Sequence, residues 1–200
     1  MKSFDAFILA GGASRRMGTD KSQLLLDGQT LTQRLAQVLL KVASTVAMVG
    51  RSVTDSQLRT VGDVYPQWGA LGGVHAALSA CSTDWALVVA CDMPFVSEEL
   101  FLRLASFRDD FEGVAPMQPD GRPQPLCAFY RVTPCLATAE KLIQSGERKP
   151  VTLLQSVRTR WIEFAELNDL PGAANFFDNM NTPEDYSRAQ SKGESQPKKD

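Results

Sequence analysis

Strand-length apolar runs alternate with helical patterns along almost the whole chain, and few architectures accommodate that alternation. Residues 4–10 form an apolar run ending at Gly11-Gly12, and residues 45–49 a β-rich run ending at Gly50. Residues 85–90 make a third, stopped by Cys91-Asp92-Met93-Pro94. Further short strands are predicted over 113–117, 126–130 and 161–164. Between them, Leu31, Leu35, Val38, Leu39 and Val42 recur at helical spacing, which makes residues 30–42 an amphipathic helix. A short Ala-rich helix is predicted over 74–81 after Gly72-Gly73, and another over 134–145, closed by Gly146. Ser97 is placed to cap a helix reaching about Phe107, with Glu98 and Glu99 complementing the positive end of its dipole. Runs that are apolar at nearly every position are buried on both faces, as in parallel sheets covered by helices. The pattern predicts an α/β fold: an open, mostly parallel sheet with helices on both faces, a three-layer, Rossmann-like α/β/α arrangement.

A chain of 200 residues with 44% apolar and 22% charged residues has the makeup of an ordinary globular domain. At this length roughly 70% of the unfolded surface can be buried, so the core needs no disulfides. Residues 1–190 read as one domain and residues 191–200 as a flexible polar tail. A net charge of −2 gives no global electrostatic footprint for nucleic acid or an anionic membrane, and neither is expected as a partner. The four cysteines (Cys81, Cys91, Cys127 and Cys135) contain no C-x-x-C pair, and His75 is the single histidine. A zinc site is therefore not expected, and the thiols read as buried and free. No signal-peptide core and no 18-residue apolar stretch occur, so a cytoplasmic, reduced location is expected.

Ligands of such sheets bind beyond the carboxyl ends of the strands, where glycine-rich turns open onto helices. Three segments fall there. In the first, Gly11 and Gly12 allow close backbone approach to a phosphate or base, while Arg15, Arg16 and Lys21 bring positive charge near it. It contains neither a Walker A loop nor Gly-x-Gly-x-x-Gly, which disfavours a dinucleotide oxidoreductase. In the second, Asp92 follows an apolar strand directly and Pro94 fixes the turn. That placement suits a carboxylate holding Mg²⁺, a hard ion that prefers carboxylate, phosphate and water oxygens. In the third, Gly69, Gly72 and Gly73 precede a helix whose N-terminus can face a ligand, with Asp63 just upstream, and a plain loop–helix junction fits this segment equally.

Near the end, Thr182, Pro183, Glu184 and Asp185 read as a helix start, preceded by Asn179 and Asn181, which would share one face of a strand. A turn role and a substrate role fit the asparagines equally. Gly146-Glu147-Arg148-Lys149 reads as a solvated charged loop, and His75, without an evident carboxylate partner, as packing or surface.

Leu9-Ala10-Gly11-Gly12, Ser14, Arg16-Met17-Gly18 and Asp20-Lys21 together resemble the nucleotidyltransferase signature of the molybdenum cofactor guanylyltransferases. The resemblance continues in order through Asp63, Gly69-Ala70-Leu71-Gly72-Gly73, Cys91-Asp92-Met93-Pro94, Gln124-Pro125-Leu126, Gly146-Glu147-Arg148 and Asn179-Met180-Asn181-Thr182-Pro183. It implies the Rossmann-like nucleotidyltransferase fold and transfer of GMP from GTP to the terminal phosphate of molybdopterin, with release of pyrophosphate. It implies a nucleotide-binding set of Leu9, Ala10, Gly11, Gly12, Lys21, Asp63 and Asp92. Asp92 would hold Mg²⁺, and Arg16 and Lys21 would act on the phosphates. Arg148, Asn179 and Asn181 resemble positions on the pterin side. A cofactor-donor protein and recipient molybdoenzymes are the protein partners it implies. Some relatives carry an asparagine where this chain has Gly50-Arg51, and a second arginine where it has Lys149. Two other readings fit the same fold: a cytidylyltransferase acting on molybdopterin or another phosphorylated metabolite, and a non-catalytic nucleotide or cofactor carrier.

Overall fold

The structure is a computed structural model describing residues 3–10, 25–26, 28–50 and 58–180, with Leu26 described by its backbone alone. Seven strands form one sheet: β1 (Asp5–Ala10), β4 (Thr45–Gly50), β5 (Arg59–Val61), β6 (Trp85–Ala90), β7 (Gly113–Pro116), β8 (Cys127–Arg131) and β9 (Thr159–Ile162). A short ribbon of β2 (Leu25–Leu26) and β3 (Gln29–Thr30) stands apart. The helices are α1 (Leu31–Val42), α2 (Gly69–Ala80), α3 (Glu98–Ala105), α4 (Val132–Gln144) and α5 (Pro150–Gln155).

The sheet order is β5-β4-β1-β6-β8-β7-β9, and every strand is parallel to the others except β8, which runs against both its neighbours. The expectation of a mostly parallel sheet holds, with this one reversal. Its cause is the connection from β7: residues 117–126 turn back through Gly121 without a crossover helix, and a parallel return needs one. Leaving β1 the chain builds outward through β4 and β5, then returns to place β6 on the other side of β1. The carboxyl ends of β1 and β6 therefore flank the point where the strand order reverses, the crevice in which open α/β sheets bind ligands.

Side-chain alternation along the central strands feeds two cores. Ala6, Ile8, Met48, Leu87 and Val89 pack on one face with Leu35 and Leu39 of α1 and Phe101 of α3. Phe7, Leu9, Val49, Ala86 and Val88 pack on the other with α2, α4 and α5. Both faces are covered, as the apolar runs predict.

Local sequence accounts for most element ends. Thr30 caps α1 by accepting from the Gln33 N–H, while the Gln33 side chain accepts from the Thr30 N–H, a reciprocal box. Ser97 caps α3 through the Leu100 N–H. Gly146 (φ +91) ends α4, with its own N–H donating to Ile143 and that of Glu147 to Leu142, the paired bonds of a Schellman motif. Helix α2 begins at Gly69 rather than near Val74, and α5, β5 and the β2–β3 ribbon have no counterpart in the sequence expectation.

At the amino edge of the sheet Asp5 is buried, and its carboxylate accepts from Thr45 Oγ1 (2.8 Å), Ser82 N–H (2.7 Å) and Ser82 Oγ (2.7 Å). Burial pushes its pKa up, but the donors from Ser82, Thr45 and Cys81 outweigh it and hold the group below the usual carboxylate range. This network ties the starts of β1, β4 and β6 together.

Candidate active site

Several of the residues that the sequence marks, Leu9, Ala10, Asp92 and Asn179 among them, lie at the carboxyl edge of the sheet. Ala10, paired with Gly50, ends β1, and Leu9 lies beside Ala90 in the register of β1 with β6. The Cys91 N–H donates to the Leu9 carbonyl (3.2 Å), carrying the β1–β6 pairing one step further and fixing where Asp92 leaves the sheet. Asp92 is half-buried there, and its carbonyl accepts from the Met180 N–H (2.9 Å). Asp92 and Asn179 are thereby brought to the same place from positions far apart in the chain. Asn179 sits in an irregular segment rather than a strand; its Oδ1 is buried without a hydrogen-bond partner among the described residues.

Leu9 contributes by packing: its side chain lies under α2, where a Cβ on Gly73 would meet it at 3.4 Å. Asp63 is exposed just beyond β5. Three strand spacings, about 14 Å, separate β5 from β6, the strands that Asp63 and Asp92 follow, so a ligand reaching from one to the other must be extended. Gly11, Gly12, Arg15, Arg16, Lys21, Arg51, Asn181 and the helix start expected at Thr182 lie outside the described residues.

The glycines that open α2 serve packing and backbone geometry. A Cβ on Gly72 would lie 2.9 Å from Trp68 Cβ and 3.1 Å from the Tyr65 carbonyl oxygen, so Gly72 makes room for the chain's own loop. Gly73 likewise lets α2 settle on Leu9. Gly69, at φ +67, is needed for its backbone conformation, because L residues rarely adopt it and no neighbour crowds the position.

The Gly146–Lys149 turn, read from sequence as a solvated loop, is built into this end of the molecule. The Glu147 carboxylate accepts from the N–H groups of Arg148 (2.8 Å) and Lys149 (2.9 Å) and from Thr152 Oγ1 (3.0 Å), which ties the turn to the side of α5. These donors hold its pKa below the usual carboxylate range. Arg148 lies 4.7 Å over the Trp68 ring, and the Trp68 indole N–H donates to the Glu147 carbonyl (2.8 Å). Arg148 thus reaches the first turn of α2. An acidic residue just ahead of Pro150 was the available sequence signal for Glu147. Trp68 offered none, since its partners lie some eighty positions away.

His75 does have a carboxylate neighbour: it is buried between α2 and α4, with Nε2 3.6 Å from Glu140 and its ring edge-on to Tyr65 at 4.8 Å. The packing role holds, and the missing partner is corrected. Of the four thiols, Cys127 and Cys135 are buried, with pKa values pushed up to about 12, by burial alone at Cys127 and by burial aided by Glu112 at Cys135. Cys81 and Cys91 are only partly buried. Among the described residues no group of three or more His, Cys, Asp or Glu side chains is placed to enclose a metal. No described helix is long and apolar enough to cross a membrane.

Residues 6–159 match the family of MobA-like NTP transferase domains. A probable molybdenum cofactor guanylyltransferase from Methanothermobacter thermautotrophicus is 33% identical over 191 residues, covering 89% of this chain and 94% of that protein. The molybdenum cofactor guanylyltransferase of Vibrio atlanticus is 32% identical over 188 residues, covering 90% and 92%. Among solved structures, molybdopterin-guanine dinucleotide biosynthesis protein A from Archaeoglobus fulgidus superposes with a TM-score of 0.82 at 24% identity, covering 96% of this chain and all of that one. The 2-C-methyl-D-erythritol 4-phosphate cytidylyltransferase of Thermus thermophilus shares the fold at a TM-score of 0.67 and 18% identity, covering 96% of this chain and 99% of that one.

Proposed function

The chain belongs to the MobA-like NTP transferase family, and from that premise we propose that it is a molybdenum cofactor guanylyltransferase, moving GMP from GTP to the terminal phosphate of molybdopterin. The observation that carries this reading is the end-to-end match, about a third identical over some nine-tenths of both chains, to proteins bearing that name. The cytidylyltransferase likeness is one of fold alone.

In this reaction a phosphate oxygen of molybdopterin attacks the α-phosphorus of GTP. The new P–O bond forms as the bond to the β-phosphate oxygen breaks, and pyrophosphate leaves with the electron pair. Such transfers need in-line positioning and neutralisation of developing charge more than covalent help. The attacking phosphate is already anionic near neutral pH, so no general base is required. We assign Lys21 and Arg16 to the triphosphate, Leu9 and the Ala10-Gly11-Gly12 backbone to the nucleotide, and Asp63 to a donor on its base or ribose. Arg148, Asn179 and Asn181 take the pterin side.

Asp92 suits Mg²⁺. Half-buried at the carboxyl end of β6, it offers carboxylate oxygens to a hard ion that shares its coordination with phosphate oxygens and water. When bound, the ion would supply positive charge against the triphosphate. Asp92 is fixed for this by its place after β6 and by the Met180 bond to its carbonyl.

Guanine offers both donor and acceptor groups, and a site that pairs them leaves buried polar atoms unmatched when cytosine enters. Incubation with molybdopterin, Mg²⁺ and equal GTP and CTP tests the assignment. The expected product is the guanine dinucleotide with pyrophosphate; a predominantly cytosine product refutes it. Nucleotide binding without any product would favour a carrier instead.

A further inference from the structure

Arg148 stands on an exposed turn, where a long side chain would ordinarily sample many rotamers. Three contacts from one short loop restrain it. Its guanidinium lies 4.7 Å over the Trp68 ring, its Nη1 donates to the Gln67 carbonyl (3.3 Å), and the carbonyl just before it in the chain, that of Glu147, takes the Trp68 indole N–H. A fourth bond joins the backbones, from the Leu71 N–H to the Arg148 carbonyl (3.4 Å). The loop making these contacts is itself held in an unfavourable shape. Gln67, at φ 65, is the only non-glycine residue with positive φ among those described, and Gly69 repeats that conformation two positions later. Trp68 lies between them and seats directly over Gly72, where a Cβ would come within 2.9 Å of its own. The left-handed turn, the missing Cβ and the indole all serve to bring one aromatic face under one guanidinium.

We propose that Trp68 is a positioning residue for acceptor recognition: it holds Arg148 ready to bind the anionic phosphate of the acceptor substrate. This rests on the assignment of Arg148 to the pterin side. Among the described residues Arg148 spends one hydrogen bond on Gln67 and stacks its flat face on Trp68, which leaves other N–H donors at the edge of the guanidinium for a phosphate. Stacking and hydrogen bonding use different parts of that group, so Trp68 restricts the rotamers without consuming the donors needed for the ligand.

Initial rates at saturating GTP with varied molybdopterin, on wild type, Trp68→Leu, Trp68→Phe, Arg148→Ala and the Trp68→Leu/Arg148→Ala pair, test this. Trp68→Leu should raise the acceptor KM about tenfold through loss of the stack and the indole hydrogen bond together. The kcat and the GTP dissociation constant should stay within about twofold of wild type, as expected for an interaction made equally in ground and transition states. Trp68→Phe keeps a ring and loses the N–H, so it should lie between wild type and leucine, and it decides the matter if the leucine variant does not fold. The double variant should be no worse than Arg148→Ala alone. If Arg148→Ala raises KM and the Trp68 variants do not, the positioning role is wrong while the pterin-side assignment stands. If Arg148→Ala leaves KM unchanged, the assignment fails and the proposal with it. A Trp68 effect that persists without Arg148 also overturns the proposal.

Discussion

Replacing Gly72 by alanine asks whether close packing of the α2 loop or helix propensity dominates at this position. In an isolated helix the change is favourable, by about 1 kcal/mol, because alanine restricts the unfolded chain and is the best helix former. Here the added methyl would sit 2.9 Å from Trp68 Cβ and 3.1 Å from the Tyr65 carbonyl oxygen. Neither atom is the free end of a flexible side chain, so loop or helix must shift by roughly half an ångström to reach normal contact distance, and overpacking of this kind costs about 1–3 kcal/mol. Set against the helix gain, the net expectation is a loss of up to about 2 kcal/mol. For a chain of this size that lowers Tm by up to about 8 °C. The neighbouring position is the control: a methyl on Gly73 would meet Leu9 at 3.4 Å, an ordinary contact, so Gly73→Ala should be neutral or stabilising by up to about 1 kcal/mol. Urea or thermal unfolding of the two variants, followed by far-ultraviolet circular dichroism, measures the difference. Equal stabilities, or a Gly72→Ala protein more stable than wild type, would refute the view that Gly72 exists to seat Trp68.

Asp92→Asn keeps the shape and removes the charge proposed to hold Mg²⁺, so kcat should fall at least about 10²-fold with an unchanged melting curve; near-normal turnover would reject the metal assignment. Lys21→Ala should weaken GTP binding and slow transfer together, by about tenfold to a hundredfold, since a charge-assisted hydrogen bond contributes about 1.5–3 kcal/mol; unchanged values in calorimetry and turnover would place Lys21 away from the phosphates. Asp5→Ala strips the acceptor from Thr45 and Ser82 and should cost about 1–3 kcal/mol at pH 7. Because the folded pKa of Asp5 lies below its unfolded value, its contribution is complete above about pH 4 and lost as pH falls through the folded pKa. Denaturation curves should therefore show the gap between wild type and Asp5→Ala narrowing below pH 4, and a constant gap would mean that the carboxylate charge is not what the network uses.

The layer order of this protein was legible in its sequence because burial on both faces leaves an apolar run, and that signature survives without knowledge of any partner. Strand β6 and helix α1 were readable almost to the residue, since Thr30 and the Cys91–Pro94 stop act on their immediate neighbours. The place of Asp92 was legible for the same reason: a carboxylate just after an apolar strand stands at an end of the sheet whatever else the fold contains. Strand β5 has no signature in the sequence, because it is a three-residue strand with two exposed positions, stabilised by pairing with β4. The reversal of β8 likewise depends on which strand it meets, and the apolar content of residues 127–130 is the same in either direction. Residues 146–149 looked like solvated charge because each side chain there is polar. What makes them structure is the meeting of Glu147 with Thr152 in the next helix and of Arg148 with Trp68 from the far side of the chain. Local rules set the elements and the residues that end the strands at the carboxyl edge of the sheet. Contacts between residues some eighty positions apart decide which side chains are held there, because stacking and hydrogen-bond geometry exist only once α2 and α4 have packed side by side.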